Sequence, residues 1–244
     1  MTEKARWTVI MIFAVAMAYV EAAVVMYLRV LVNQIDPYPP NPLAVPAWLI
    51  PTEIAREAAT VAMLLAVGWL AGRTWRSRLG HFFIAFGLWD LFYYVFLRFL
   101  TGWPRTLLDW DILFLIPLPW WGPVLAPTSI AALMIVAGTL MSQFDHRPDA
   151  RWPGRWLWTS SFTGAVLALY VFMADSIEAL SGGMEAIRQV VPTRFNWPFF
   201  TLALALMAAP LLDLVWPFWS RFNPKHLGSK RSSGRSEAGT GHGM

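Results

Sequence analysis

Six stretches of the chain are apolar almost without interruption: Trp7–Leu28, Ala47–Ala71, His81–Leu100, Val124–Met141, Leu157–Leu180 and Trp197–Val215. A hydrocarbon core about 30 Å thick takes about 20 apolar residues as a helix, so each stretch is long enough to span. The intervening segments read as breaks. Pro37, Pro39, Pro40, Pro42, Pro46 and Pro51 crowd the stretch from Asp36, which cannot be helical and favours extended backbone. Residues 72–78 and 145–155 are short and polar. The pattern predicts an all-α membrane protein. Its core is a six-helix transmembrane bundle over residues 1–227, with a Pro/Trp-rich re-entrant or interfacial segment between helices three and four. A disordered basic cytoplasmic tail occupies 228–244, free to touch anionic lipid head groups.

Composition agrees with that picture. The chain has 244 residues, 57% hydrophobic and only 14% charged, against about 25% charged in soluble domains. Cysteine is absent, which removes disulfides, thiolate metal sites and thiol nucleophiles. Thirteen of the nineteen Lys and Arg residues fall on one side of the alternating spans. That bias places both termini in the cytoplasm of a bacterial inner membrane. Lys4 and Arg6 ahead of the run ending at Ala14, Ala16 and Ala18 also resemble a secretory signal. The run continues to Leu28, however, and reaches spanning length.

Two helices echo each other. Glu21 precedes Arg29 by eight residues in the first, and Asp90 precedes Arg98 by eight in the third. Tyr27-Leu-Arg and Phe96-Leu-Arg extend the likeness, which is the mark of either a repeated hairpin or shared apolar composition.

Ionisable groups at membrane depth are costly and must face protein or water. Glu21, Arg29, Glu53, Arg56, Glu57, Asp90, Arg98, Asp175 and Glu178 all fall in the outer half of the spans or at their edge. They predict a polar cluster opening outward. Expected pairs are Arg29 with Glu53, Glu21 or Glu57 with Arg98, and Asp90 with Arg56; Tyr94 lies one turn beyond Asp90. Ion pairs of this kind can also hold a bundle together without any ligand.

The segment from Leu107 to Pro127 is apolar, yet Pro117, Pro119, Gly122, Pro123 and Pro127 forbid a continuous helix. Irregular backbone at membrane depth must be covered by protein or line a wet cavity. The expectation is a short helix over 109–116 capped by Asp109, then a re-entrant turn with Trp110, Trp120 and Trp121 at head-group level. Such a segment would close the cluster as a lid, with Asp109 and Asp111 added to it.

No cofactor is indicated. The chain has no Gly-x-Ser-x-Gly, P-loop or dinucleotide fingerprint and no Glu-x-x-His pair. Oxygen-only ligation of a metal has no support, and the tail lacks the aromatics of a nucleic-acid binder. The predicted function is binding or transport of a small polar or amphipathic ligand. Its site would comprise Glu21, Arg29, Glu53, Arg56, Glu57, Asp90, Tyr94, Arg98, Asp109 and Asp111, with membrane lipids as surroundings. The alternatives are an enzyme acting on a lipid-linked substrate at the periplasmic face and a structural subunit.

Overall fold

The computed structural model describes residues 2–31, 46, 48–144, 153–192 and 194–222, the last helix by its backbone beyond residue 212. Most of the predicted proline-rich stretch, most of the loop from 145 and the tail over 228–244 lie outside the described residues. The chain is mostly helical. The long helices are α1 (Glu3–Leu31), α2 (Ile50–Ala71), α3 (Trp75–Thr101), α4 (Leu125–Phe144), α5 (Arg155–Glu178) and α7 (Trp197–Phe222), with a short α6 (Gly183–Arg188) before the last. Five of them, α1 to α5, are long and apolar enough to cross a membrane. The six predicted stretches each fall on one long helix.

Local chemistry sets several boundaries. Pro51 stands in the first turn of α2, where its missing N–H is no loss. Thr74 caps α3 by accepting from the Ser77 amide at 3.1 Å. Gly102 ends α3 in the left-handed region, at φ 77°, a conformation only glycine adopts freely.

Small residues let the helices approach. Ile10, Ala14, Ala18 and Ala22 recur every fourth position on α1 and are all buried, so one face of α1 lies close on α3. Between α3 and α4 the backbones nearly touch. A Cβ on Gly138 would stand 2.3 Å from the Gly80 carbonyl oxygen, and one on Gly87 2.5 Å from that of Ala131. Gly164 does the same between α5 and α7, against Ala203. Ser160 and Ser161 add hydrogen bonds across that pair, to the carbonyls of Leu206 and Met207. The molecule therefore has two parts, α1–α4 around α3 and the pair α5/α7. They meet chiefly through α4 against α7 and through α5 against the hairpin.

The segment between α3 and α4 corrects one expectation. In place of a helix over 109–116 it forms an antiparallel hairpin, β1 (Trp110–Ile112) with β2 (Trp121–Pro123), in the register Asp111 opposite Gly122. Asp109 caps no helix. Its carboxylate accepts from the amides of Arg105 and Thr106 and from the Thr106 hydroxyl, which closes the turn before β1. With Pro117 and Pro119 in the loop, strand pairing is how the backbone groups on either side find partners. Nor do the tryptophans face outward: Trp121 is buried and Trp120 half-buried, both against the interior.

Far from the hairpin, at the other end of the bundle, His81 is buried. Its Nδ1 donates to the Ser77 carbonyl at 2.7 Å, and Glu3 and Arg6 pair beside it at 2.7 Å. Among the described residues no group of three or more ligand-type side chains gathers here or anywhere else.

Candidate functional site

The hairpin roofs a cavity of about 440 Å³, within the range that holds a drug-sized molecule. Its walls come from α1, α2, α3, the hairpin, α4, α5 and α7. The end under the hairpin is polar, lined by Glu21, Arg29, Arg56, Glu57, Asp90, Tyr93, Tyr94 and Asp111. The other end is apolar, lined by Ile130, Ala131 and Met134 of α4, Ala165, Ala168 and Leu169 of α5, and Met207 of α7.

Helical spacing puts these groups on one wall. Glu21, Val25, Leu28 and Arg29 are one face of α1; Arg56, Glu57 and Thr60 are one face of α2; Phe86, Trp89, Asp90, Tyr93 and Tyr94 are one face of α3. The charges then find partners across helices. Arg56 pairs with Glu21 and, through Nε at 2.8 Å, with Glu53. The Thr60 hydroxyl donates to Glu21 at 3.4 Å. Arg29 lies 3.9 Å from Asp111 and 4.4 Å over the Trp103 ring, and the Tyr94 hydroxyl donates to Asp111 at 3.1 Å. Glu57 accepts the Leu115 amide with both oxygens, at 2.9 and 3.1 Å. Ser176 of α5 donates to the Pro119 carbonyl at 2.7 Å. The hairpin segment is thus tied to α2, α3 and α5 at once.

Asp90 differs from the other acids. It is half-buried against the cavity, and among the described residues it has no hydrogen bond and no ion pair. Around it run aromatic rings. Trp89 contacts Tyr93, Phe86 and Phe114; Phe114 contacts Trp120 at 5.2 Å; Trp120 stacks on Phe172 of α5 at 6.3 Å. The rings lead from the polar end to the apolar end. Asp111 sits on the hairpin rather than on a long helix, and burial pushes its carboxyl up to about 6 against the lowering pull of Arg29 and Tyr94.

Seven of the predicted site residues line this one cavity: Glu21, Arg29, Arg56, Glu57, Asp90, Tyr94 and Asp111. Glu53 stands behind Arg56. Two lie elsewhere. Arg98 is exposed and folds back on its own helix end, donating to the Gly102 carbonyl, and Asp109 is consumed by its turn. None of the expected pairs forms. Arg56 takes Glu21 and Glu53, Arg29 takes Asp111, and Arg98 takes neither Glu21 nor Glu57. Asp175 and Glu178 do not line the cavity. Sequence reasoning missed Tyr93, Thr60, Trp89 and Phe172; the available signal was that Tyr93 and Thr60 stand three residues from a predicted acid, Trp89 stands next to one, and Phe172 stacks on a hairpin tryptophan. No family model, no curated protein and no solved structure matches this chain.

Proposed function

We propose that the protein is a bacterial inner-membrane protein of six spans, both termini cytoplasmic, whose cavity binds a small polar or amphipathic ligand for uptake or transfer. The sixth span is α7, whose backbone continues to Phe222. In this orientation the hairpin faces the periplasm and the polar end of the cavity lies in the outer leaflet. One observation carries the reading: the deep acids Glu21, Glu57, Asp90 and Asp111, from three helices and the hairpin, converge on one space that the protein does not fill. A purely structural set of ion pairs would leave no such volume and no acid without a partner. Of the groups an enzyme reading would use, Asp109 is held in a turn and Arg98 at a helix end, while Asp111 lines the cavity.

The test uses the full chain purified in lipid nanodiscs from its native membrane. Native mass spectrometry should find a small molecule bound to the wild type and absent from the Glu21→Gln/Asp90→Asn double variant, with unchanged circular dichroism. The same molecule bound equally to both proteins would refute the pocket.

A further inference from the structure

The chemistry of the two ends narrows the class of ligand, given that the cavity is a binding site at all. At the polar end, four lining carboxylates (Glu21, Glu57, Asp90 and Asp111) face two guanidiniums, Arg29 and Arg56. Arg56 is committed to two carboxylates, while Arg29 lies 3.9 Å from Asp111 and over the Trp103 face, with its Nη1 buried and without a hydrogen-bond partner. Glu57 is answered by a backbone amide. Asp90 is answered by nothing among the described residues. A carboxylate so placed at membrane depth wants a cation or a proton.

The rings favour the cation. Trp89, Tyr93 and Phe86 flank Asp90 on α3, and Phe114 and Trp120 come from the hairpin. Aromatic faces beside a carboxylate are what an ammonium group selects, through attraction to the ring quadrupoles together with the charge. An anionic head finds less. Arg29 Nη1 and the indole N–H groups of Trp89, Trp120 and Trp121 are unpartnered, but these atoms are themselves buried away from the open space.

Beyond Phe172 the cavity changes character. α5 packs on α7 rather than on α4, and the gap between α4 and α5 is walled by Ile130, Met134, Ala165 and Leu169. This gap offers an apolar chain a wall without charged groups.

We propose that the cavity takes a cationic amphiphile: a protonated amine or alkylammonium head seated against Asp90 within the ring frame, its apolar chain lying between α4 and α5.

The experiment uses the full chain in phosphatidylcholine nanodiscs and three probes of equal chain length, hexadecylamine, hexadecanol and hexadecanoic acid. Single-adduct binding is read by native mass spectrometry. Hexadecylamine should bind saturably, the alcohol and the acid at least about tenfold more weakly, as for loss of one charged contact. Asp90→Asn should lower hexadecylamine affinity by about tenfold or more. Ala165→Trp and Met134→Trp fill the chain compartment from opposite walls, and whichever of them keeps wild-type circular dichroism should lose the adduct. Equal binding of all three probes, or undiminished hexadecylamine binding by Asp90→Asn, overturns the cationic head while leaving a ligand pocket. Undiminished binding by a folded plug variant overturns the chain position. No saturable binding of any probe overturns this proposal, and the native-ligand measurement then decides the pocket separately.

Discussion

Helices α1 and α3 lie side by side and carry the same charge spacing, an acid eight residues ahead of an arginine. Eight residues are about 12 Å of rise and 80° of rotation, so in neither helix can the two groups meet. Each acid and each arginine must be answered from elsewhere, and the answers differ. On α1 both groups turn inward: Glu21 to Arg56, Arg29 to Asp111 and Trp103. On α3 the acid turns inward and stays unpaired, while Arg98 turns outward onto Gly102. The end of the helix decides. α3 stops at Gly102 and the chain folds back at once, placing buried Trp103 beside Tyr94 at 6.3 Å. Trp103 and Arg29 together take the space on that side of Tyr94. A charge motif in an apolar helix thus sets where along the bundle a charge lies, while its neighbours specify its role.

The largest effect should come from removing the partner of the α1 acid. Arg56→Met leaves Glu21 and Glu53 without their cation inside the bundle. Orphaning buried charge costs about 3–5 kcal/mol, and two carboxylates put this variant near the top of that range. Asp90→Asn on α3 removes a charge that has no partner, so it breaks no ion pair and should leave stability equal to or above that of the wild type in the absence of ligand. Denaturation in mixed micelles measures both, and similar losses from the two variants would erase the distinction between the helices.

Next comes the arginine of α1. Arg29→Met strips Asp111 of its cation and Trp103 of its cation–π contact, a loss of about 3 kcal/mol. The same unfolding assay reads it. Because Asp111 belongs to the roof, hydrogen exchange at the amides of residues 110–123 should quicken in this variant, whereas a merely global destabilisation would quicken exchange evenly.

Much of this was legible in the chain. Apolar runs set by the thickness of a bilayer marked every long helix, and the cost of charge in hydrocarbon gathered seven of the predicted residues around one cavity. Pairing was not legible. It depends on helix rotation to within one side chain, and Arg56 is reached from Glu21 only because the Ala14–Ala18–Ala22 face of α1 sets the phase of Glu21. The hairpin was misread for a related reason. A run such as Trp110-Asp-Ile-Leu-Phe is apolar enough for either helix or strand. Only pairing with Trp121-Gly-Pro, eleven positions on from Trp110, settles it, and that is a non-local fact.

An effect confined to acid conditions is expected at Asp111, in the roof. Folding raises the Asp111 pKa from 3.8 to about 6, so between these values the folded state holds the proton more tightly than the unfolded one. The resulting stabilisation is full below about pH 4 and is lost as pH rises to about 6, on the order of 3 kcal/mol at most. Asp111→Asn should flatten this part of the profile, and melting temperatures at pH 4, 5, 6 and 7 measure it. An identical slope in the variant would assign the pH dependence to another group.

Arg98→Ala should matter least. The side chain is exposed, and its one contact is a carbonyl at its own helix end, where a cation is worth about 0.3–1 kcal/mol. Beside α1 this small number becomes informative. Were the echo between the helices functional, Arg98 would serve Asp90 as Arg29 serves Asp111, and its removal would weaken hexadecylamine binding or the roof. The structure instead seats Arg29 over Trp103 and turns Arg98 onto Gly102. Arg98→Ala should therefore leave amine affinity and exchange at residues 110–123 as in the wild type, while Arg29→Met alters the roof. A matched effect of the two arginine variants on exchange would mean that sequence position, and not the turn at Gly102, assigns the role.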